Sequence, residues 1–300
     1  MHIPKVSPTR IKQLIEEDYD PTLLRAWRQA WQLTLRHKWR LLGLLGIYFL
    51  IILVLRILLL VGDLVNLLVF QPLAAAILVW AYYSMYTHSW REFGDIFTVL
   101  RKEVWQRFLS VYLLQWLIFF LVFTPSLIAF KQSGILDIYF AENQDIEQLT
   151  SLYEQLFHSS SFTIILLNLI PAIYLMVSYS FAYMHALFVP ELSPWQCLEQ
   201  SRQLITRHWS RFFGYYATIF FALMAGTMLV FFIVQMDIDI AIWRWVSITT
   251  IILWILFATW LLLSVQGGLV IAFAKLTHLG QDDDSSSSNS NSLSAGESSP

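Results

Sequence analysis

The sequence RHKWRLLG at residues 36–43 returns in altered form as RHWSRFFG at residues 207–214, and a long apolar run follows each copy. The offset between the copies is 171 positions. At the same offset, one polar stripe at helical spacing maps onto another, with Arg25, Gln29, Gln32, Arg36 and Arg40 matching Gln196, Gln200, Gln203, Arg207 and Arg211. This shared register predicts a repeated unit in which a surface helix turns at an elbow into a membrane-spanning helix.

The composition is that of a membrane protein. Of 300 residues, 57% are hydrophobic, 16% aromatic and only 13% charged, which lies outside the range usual for soluble domains. The net charge of -2 predicts no nucleic-acid partner. A single cysteine, Cys197, excludes an intramolecular disulfide. The polar N-terminus does not match a cleaved secretory signal, so the first span is expected to direct insertion.

Six apolar segments are long enough to span a bilayer, which needs roughly 20 residues. They lie near 41–62, 64–86, 108–129, 162–189, 212–235 and 243–274. We therefore predict an all-α polytopic membrane protein with six transmembrane helices in three repeats, each preceded by an interfacial amphipathic helix. The repeats are expected at about 20–86, 89–189 and 193–274, within a membrane domain of 41–278 that follows an N-terminal segment of 1–40. Pro72 and Pro171 interrupt the second and fourth spans.

Basic residues alternate between the loops. Lys and Arg number eight up to Arg40, four in 87–107 and three in 190–211, whereas 130–161 holds one Lys against five acidic residues. An excess of Lys and Arg marks cytoplasmic loops, so both termini are predicted to be cytoplasmic. The Ser-rich and acidic residues 279–300 are typical of a disordered tail.

Three helix-start signals precede the odd-numbered spans. Asp20 before Pro21 predicts an N-cap with proline at the first helical position. Ser89–Glu92 and Ser193–Gln196 have the pattern of capping boxes. The middle unit carries only a degraded echo of the repeated phrase at Trp105–Phe108.

The elbows combine arginine and tryptophan, residue types that meet lipid headgroups. The candidate headgroup contacts are Arg36, Arg40, Arg207, Arg211, Trp39 and Trp209. Two interpretations stay open: these residues only anchor and orient the spans, or they recognise anionic lipids. Gly43 and Gly214 are expected to allow the bend or a close helix approach. His37 and His208 have no metal-ligand cluster around them, so no metal site is predicted.

Polar residues within spans are candidates for function. Here they are Arg56, Asp63, Asn66, Gln71, Asn168 and Ser178. Arg56 is placed to pair with Asp63 or to extend toward the outer surface, and Asn168 to hydrogen-bond between helices. The deeper polar residues are neutral, and the sequence carries no catalytic or phosphate-binding motif. We therefore expect no enzyme activity and no cofactor.

The stretch from Leu169 to Tyr216, LIPAIYLMVSYSFAYMHALFVPELSPWQCLEQSRQLITRHWSRFFGYY, resembles a known pattern. It is similar to bacterial YciC-like inner-membrane proteins and to the related membrane domain attached to some glycerophosphodiester phosphodiesterases. The shared features fall on Pro171, Glu191, Ser193, Ser201, Trp209 and Arg211, with Cys197 where the family usually has Ala. The resemblance implies a multi-pass protein of the bacterial inner (cytoplasmic) membrane. It does not imply phosphodiesterase activity, because it covers the membrane domain only.

Two functions are compatible with these features. The first is a non-enzymatic protein that organises the envelope through contacts with the lipid bilayer, including anionic lipids, or with a membrane-protein partner. The second is a transporter or channel for a small or amphiphilic solute. The absence of a charge at the middle of a predicted span favours the first, although pores lined by neutral groups exist.

Overall fold

The computed structural model describes residues 3–17, 19–57, 59–89, 93–132, 160–235 and 241–279. Within these residues the structure is helical, and no strand is present. The predicted disordered tail lies outside the described residues except for Leu279, as do most of the acidic loop at 130–161 and residues 90–92 of the predicted capping box at Ser89. The all-α prediction is confirmed.

Within the described residues, the helices lie in the following order along the chain. They are α1 Pro8–Glu16, α2 Leu23–Arg36, α3 Lys38–Arg56, α4 Leu59–Val65, α5 Gln71–Tyr86, α6 Lys102–Gln132, α7 Ser160–Ser178, α8 Ala182–Phe188, α9 Pro194–Thr206, α10 Trp209–Gln235 and α11 Ala241–Leu276. A π-helical turn, Asn66–Phe70, joins α4 to α5, and a 3₁₀ helix, Phe93–Leu100, precedes α6.

Six stretches among the described residues are long and apolar enough to cross a membrane. They are Lys38–Arg56, Val61–Tyr86, Lys102–Ala129, Phe162–Phe188, Trp209–Val234 and Val246–Leu276. Each overlaps one predicted span, so the prediction of a multi-pass membrane protein is confirmed. A shorter helix also precedes the first, third and fifth spans, as the repeat predicted.

The elbows form at the repeated phrase. The first elbow, residues 36–40, breaks at His37 (φ -107°, ψ 24°) between α2 and α3. The second elbow, residues 206–211, contains the break between the end of α9 at Thr206 and the start of α10 at Trp209. The aligned residues His37 and His208 therefore both lie at a break. In the middle unit the break falls earlier, at Arg101, and Trp105 already lies inside α6.

The predicted role of two glycines is wrong. Gly43 and Gly214 lie inside α3 and α10, beyond the elbows, and a Cβ added at either would meet no atom within 4 Å. They therefore neither form the bend nor bring neighbouring helices close within the described structure. The close approaches occur at other glycines, as the packing of α11 shows below.

The helix starts agree with prediction in one case of the two that the structure describes. Ser193 forms the predicted capping box, in which its Oγ accepts from the Gln196 N–H and the Gln196 Oε1 accepts from the Ser193 N–H. The prediction for Asp20 is wrong, because α2 begins at Leu23 and Thr22, with φ 39°, takes the N-cap position. Asp20 Oδ1 instead accepts a hydrogen bond from the Thr22 N–H.

Most of the buried core lies at one side of the bundle, which we call the basal side. It is the side at which the spans begin or end at Lys38, Tyr86, Lys102, Phe188, Trp209 and Leu276. Its largest fully buried side chains are Trp80, Tyr82, Phe108, Phe181, Phe188, Phe212 and Phe273. Large apolar side chains on α3, α10 and the first half of α11 are exposed, as expected for surfaces that face lipid.

The N-terminal segment belongs to this core rather than to a separate polar extension. Ile3, Val6, Ile11 and Leu14 are buried against the basal side. The Val6 N–H donates to the carbonyl of Phe188 at the end of the fourth span. Residues 3–17 and Tyr19, to which the term N-terminal segment refers from here on, therefore pack against the basal side of the bundle, which their polar composition did not predict.

The two elbow helices bury the same repeat positions. In α2 the fully buried residues include Ala26, Ala30 and Thr34, and in α9 they include Cys197, Ser201 and Ile205. Each residue of the second set lies 171 positions after one of the first. The offset found in the sequence is thus also the offset of the buried helix faces, which supports the assignment of α2 and α9 as repeats.

Packing of α2 along α11 depends on Gly267 and Gly268. A Cβ at Gly268 would meet the backbone and Cβ of Trp27 at 3.0 and 3.3 Å and the Tyr215 hydroxyl at 2.8 Å. A Cβ at Gly267 would overlap the ring of Tyr82, whose hydroxyl lies 2.7 Å from the Thr34 Oγ1. Side chains at these two positions would separate α2, α5 and α11.

Gly267→Ala tests this packing. Because Tyr82 is fully buried and hydrogen-bonded, it has no free space into which to move, and overpacking of this kind costs about 1–3 kcal/mol. We expect a loss of that size in the free energy of unfolding, measured in mixed micelles with increasing SDS. Gly43→Ala is the matched control, since its new methyl group meets open space. Equal effects of the two substitutions would contradict the packing argument.

Candidate functional site

The second elbow is held in place by the N-terminal segment. The Arg207 Nη1 donates to the carbonyls of Ile15 and Glu17 at 2.6 Å each. The Tyr19 hydroxyl donates to the Leu204 carbonyl at 2.6 Å, and its ring packs edge-on against His208 at 4.6 Å. Arg207 thus donates to carbonyls at the end of α1 that have no partner within the helix. These hydrogen bonds join the N-terminal segment to the second elbow.

Burial shifts the pKa of His37 in the first elbow and of Tyr19, which packs against the second elbow. Burial raises the pKa of Tyr19 above its usual value, so its hydroxyl stays a hydrogen-bond donor. At the first elbow, burial, followed by the charges of Arg40 and Arg36, lowers the pKa of His37. His37 is therefore neutral at pH 7 and adds no positive charge to that elbow.

A crevice of about 540 Å³ lies between the start of α2 and the start of α10. Asp20, Thr22, Arg25 and Arg211 contribute polar groups to it. Apolar and small residues form the remainder, among them Leu24, Trp27, Gly214, Tyr215 and Ile219. The crevice therefore combines charged and apolar surface at the start of the fifth span, where the sequence predicted headgroup contacts.

Two aromatic residues fix the back of this crevice. The Trp27 indole Nε1 donates to the Ser264 Oγ at 3.0 Å, and the Tyr215 hydroxyl donates to the Val265 carbonyl at 3.2 Å. The two rings also contact each other edge-on at 6.5 Å. Because both are bonded to α11, the crevice is preformed in the protein.

The candidate headgroup residues occupy different environments. Arg207 and Arg211 have partners within the protein: Arg207 binds the two carbonyls described above, and Arg211 forms an ion pair with Asp20 at 2.8 Å. All four arginines are exposed, and the Trp39 side chain is 77% exposed. Trp209 instead stacks on Phe213 at 4.8 Å. Headgroup contact at the first elbow stays a prediction.

The polar residues at the turn between the first two spans are not gathered into one site. Arg56 and Asp63 are both exposed and do not form an ion pair in the described structure. Asn66 begins the π-helical turn, and its buried Oδ1 has no hydrogen-bond partner. Gln71 accepts a hydrogen bond from the Tyr112 hydroxyl at 2.9 Å, which joins α5 to α6.

Polar residues of the fourth span link helices to one another. The Asn168 Nδ2 donates to the Ser126 Oγ at 2.8 Å, so the predicted interhelical hydrogen bond is confirmed. Ser178 is fully buried, and its Oγ has no hydrogen-bond partner. Neither residue lines the crevice or the cavity between α6 and α7.

The fourth span is interrupted at residues 179–181, not at Pro171. Helix α7 continues through Pro171 to Ser178, and α8 begins at Ala182. Ser201 of α9 bridges the interruption, since its Oγ donates to the Ser178 carbonyl at 2.8 Å and accepts from the Phe181 N–H at 3.1 Å. A buried interruption of a helix requires hydrogen-bond partners for the backbone groups that it frees. Ser201 supplies these partners at residues 178 and 181, which explains why the helix is interrupted there. Pro72, by contrast, lies in the first turn of α5, directly after the π-helical turn.

A second cavity, of about 580 Å³, lies between α6 and α7. Its surface is almost entirely apolar and includes Trp116, Phe119, Phe123 and Met176, with Gln115 as its amide-bearing residue. This surface resembles lipid-facing helix surface more than a polar conduit.

Chemistry at Cys197 is suppressed by its environment. The side chain is fully buried, and burial raises the pKa of its thiol to about 12. Because the thiolate is the nucleophile, such a cysteine is inert at neutral pH. Among the described residues no group of three or more His, Cys, Asp or Glu side chains is arranged to hold a metal ion.

Comparison with protein-family models, with curated proteins and with solved structures gives no match. The resemblance of residues 169–216 to YciC-like proteins therefore stays a prediction.

Ser201→Ala tests the bridge across the fourth span. The substitution leaves the buried Phe181 N–H without its acceptor, which costs about 1–3 kcal/mol. We expect the free energy of unfolding in mixed SDS micelles to fall by that amount. Ser110→Ala is the control, because the exposed Ser110 hydroxyl bonds only to Gln106 of its own helix. If the two variants were equally stable, the hydroxyl of Ser201 would not hold the break.

Proposed function

We propose that this integral membrane protein is a non-enzymatic, multi-pass protein of the bacterial inner membrane that helps to organise the envelope. It acts through contacts with lipids, including anionic lipids, and with the helices of membrane-protein partners. Both termini and the basal side face the cytoplasm in this proposal. The excess of Lys and Arg in the segments at the basal side supports that orientation.

One observation carries the proposal: several buried polar groups on the basal halves of the spans are neutral and hydrogen-bond to the protein itself. Thr34 pairs with Tyr82, Ser264 with Trp27, and Ser201 with the Ser178 carbonyl. A conduit for a solute would turn such groups toward a water-filled path. Because these groups form hydrogen bonds between helices, they favour a bundle without a water-filled path, whose outer surface makes the functional contacts.

The proposal predicts that the α6–α7 cavity is inaccessible to water. Single cysteines at Met176, which lines the cavity, and at Leu50, on the exposed face of α3, are placed in a Cys197→Ser background. We expect neither to react with a small membrane-impermeant maleimide in intact membranes, and both to react after denaturation in SDS. Reaction at Met176→Cys without reaction at Leu50→Cys would reveal a water-filled cavity and favour the transporter or channel instead.

The orientation is tested with Glu191→Cys in the same background. Glu191 is exposed in the connection between α8 and α9 on the basal side. We expect the impermeant maleimide to label this cysteine in inside-out vesicles and not in right-side-out vesicles, because the reagent does not cross the bilayer. Labelling only in right-side-out vesicles would reverse the proposed topology.

A further inference from the structure

We propose that the crevice between α2 and α10 binds one phospholipid with an anionic headgroup. The headgroup contacts Arg211 and Arg25, and an acyl chain lies along α10 past Gly214 toward Ile219. This inference rests on the proposed function in its lipid-binding form and assigns it a specific site.

The shape of the crevice fits a lipid more closely than a compact ion. Its volume of about 540 Å³ is within the usual range for small-molecule sites, roughly 300–1,000 Å³. It follows α10 from Arg211 to Ile219, which at 1.5 Å per residue is about 12 Å. A phosphate group alone would leave most of this length empty.

The chemistry changes along that length in the order found in a phospholipid. Arg211 and Asp20 lie at the start of the fifth span, where headgroups are expected. Thr218 and Ile219 line the part further into the span, and Leu24 adds apolar surface to the crevice. The Thr218 hydroxyl donates to the Gly214 carbonyl at 2.8 Å. Its hydrogen is therefore already used within the helix and is not offered to a ligand. A charged head and an apolar chain would thus each meet matching surface.

The ion pair of Arg211 with Asp20 does not prevent headgroup binding. The two side chains are 56% and 73% exposed, and exposed pairs contribute only about 0–1 kcal/mol. A phosphodiester can therefore replace the carboxylate as the partner of Arg211. Arg25 supplies a second guanidinium group, so cations outnumber the single carboxylate among the crevice residues.

Gly214 provides the space for the acyl chain. It lines the crevice and is exposed, and a methyl group added at its Cα would have no atom within 4 Å. A side chain there would occupy the crevice without overlapping the protein. Gly43, its counterpart in the first repeat, has the same open surroundings but lies outside the crevice, which makes it a matched control.

The test is a lipid titration of the purified full-length protein in detergent, followed by native mass spectrometry. We expect dioleoyl phosphatidylglycerol to bind one molecule per chain more tightly than dioleoyl phosphatidylcholine. Gly214→Leu fills the crevice and should weaken phosphatidylglycerol binding by about tenfold or more, while Gly43→Leu should leave it unchanged. Thr218→Leu, also in the crevice, serves as a second filling variant if Gly214→Leu is unstable.

Two charge variants separate recognition from a structural effect. Arg211→Gln should lower the affinity for phosphatidylglycerol toward that for phosphatidylcholine. Asp20→Asn removes the competing carboxylate and should raise phosphatidylglycerol affinity, by about twofold to fivefold. If the ion pair of Arg211 with Asp20 only stabilised the fold, Asp20→Asn would not raise the affinity for phosphatidylglycerol.

Equal affinity of the wild-type protein for the two lipids, or unchanged binding by stable Gly214→Leu and Thr218→Leu variants, would overturn the inference. The proposed function fails by a separate result, water access at Met176→Cys. If the crevice binds no lipid while that position stays dry, the proposed function is restricted to protein contacts.

Discussion

The close contact of α2 with α11 is the constraint on which the rest of the bundle depends. Gly268 lets the backbone of Trp27 approach α11, and Gly267 does the same for the ring of Tyr82. The Ser264 Oγ accepts a hydrogen bond from the Trp27 indole N–H. Within a bilayer, apolar side chains gain little from leaving lipid, so helices associate through small residues and interhelical hydrogen bonds. This contact brings the first and last repeats together and creates the back wall of the crevice.

The helices α2 and α9 bury equivalent positions of the repeat but make different contacts. Both elbow helices bury the same register, with Ala30 of α2 matching Ser201 of α9. The methyl group at position 30 permits close packing, whereas the hydroxyl at position 201 supplies the hydrogen bonds required by the break in the fourth span. The second elbow also holds the N-terminal segment through Arg207. The different residues at equivalent positions therefore give the two helices different structural roles.

The distribution of buried groups connects this architecture with the proposed function. The basal side is compact and has the N-terminal segment packed against it, whereas the apolar side chains of α3 and α10 are exposed along much of their length. Such a surface is stable only when lipids or other membrane helices cover it. The protein therefore presents an extended surface for membrane components around a small basal core, with the crevice at Arg211 at their boundary.

The sequence by itself determined the features that depend on neighbouring residues. Hydropathy placed the six spans, the repeated phrase placed the two elbows, although their breaks lie at the histidines and not at the glycines, and the Ser193 capping box formed as predicted. Span length and caps are set within a few residues. Only the tertiary structure decided the Ser201 bridge, the carbonyl partners of Arg207 and the packing at Gly267. These contacts join residues far apart in the chain, and their energy comes from satisfying buried groups that no local pattern identifies.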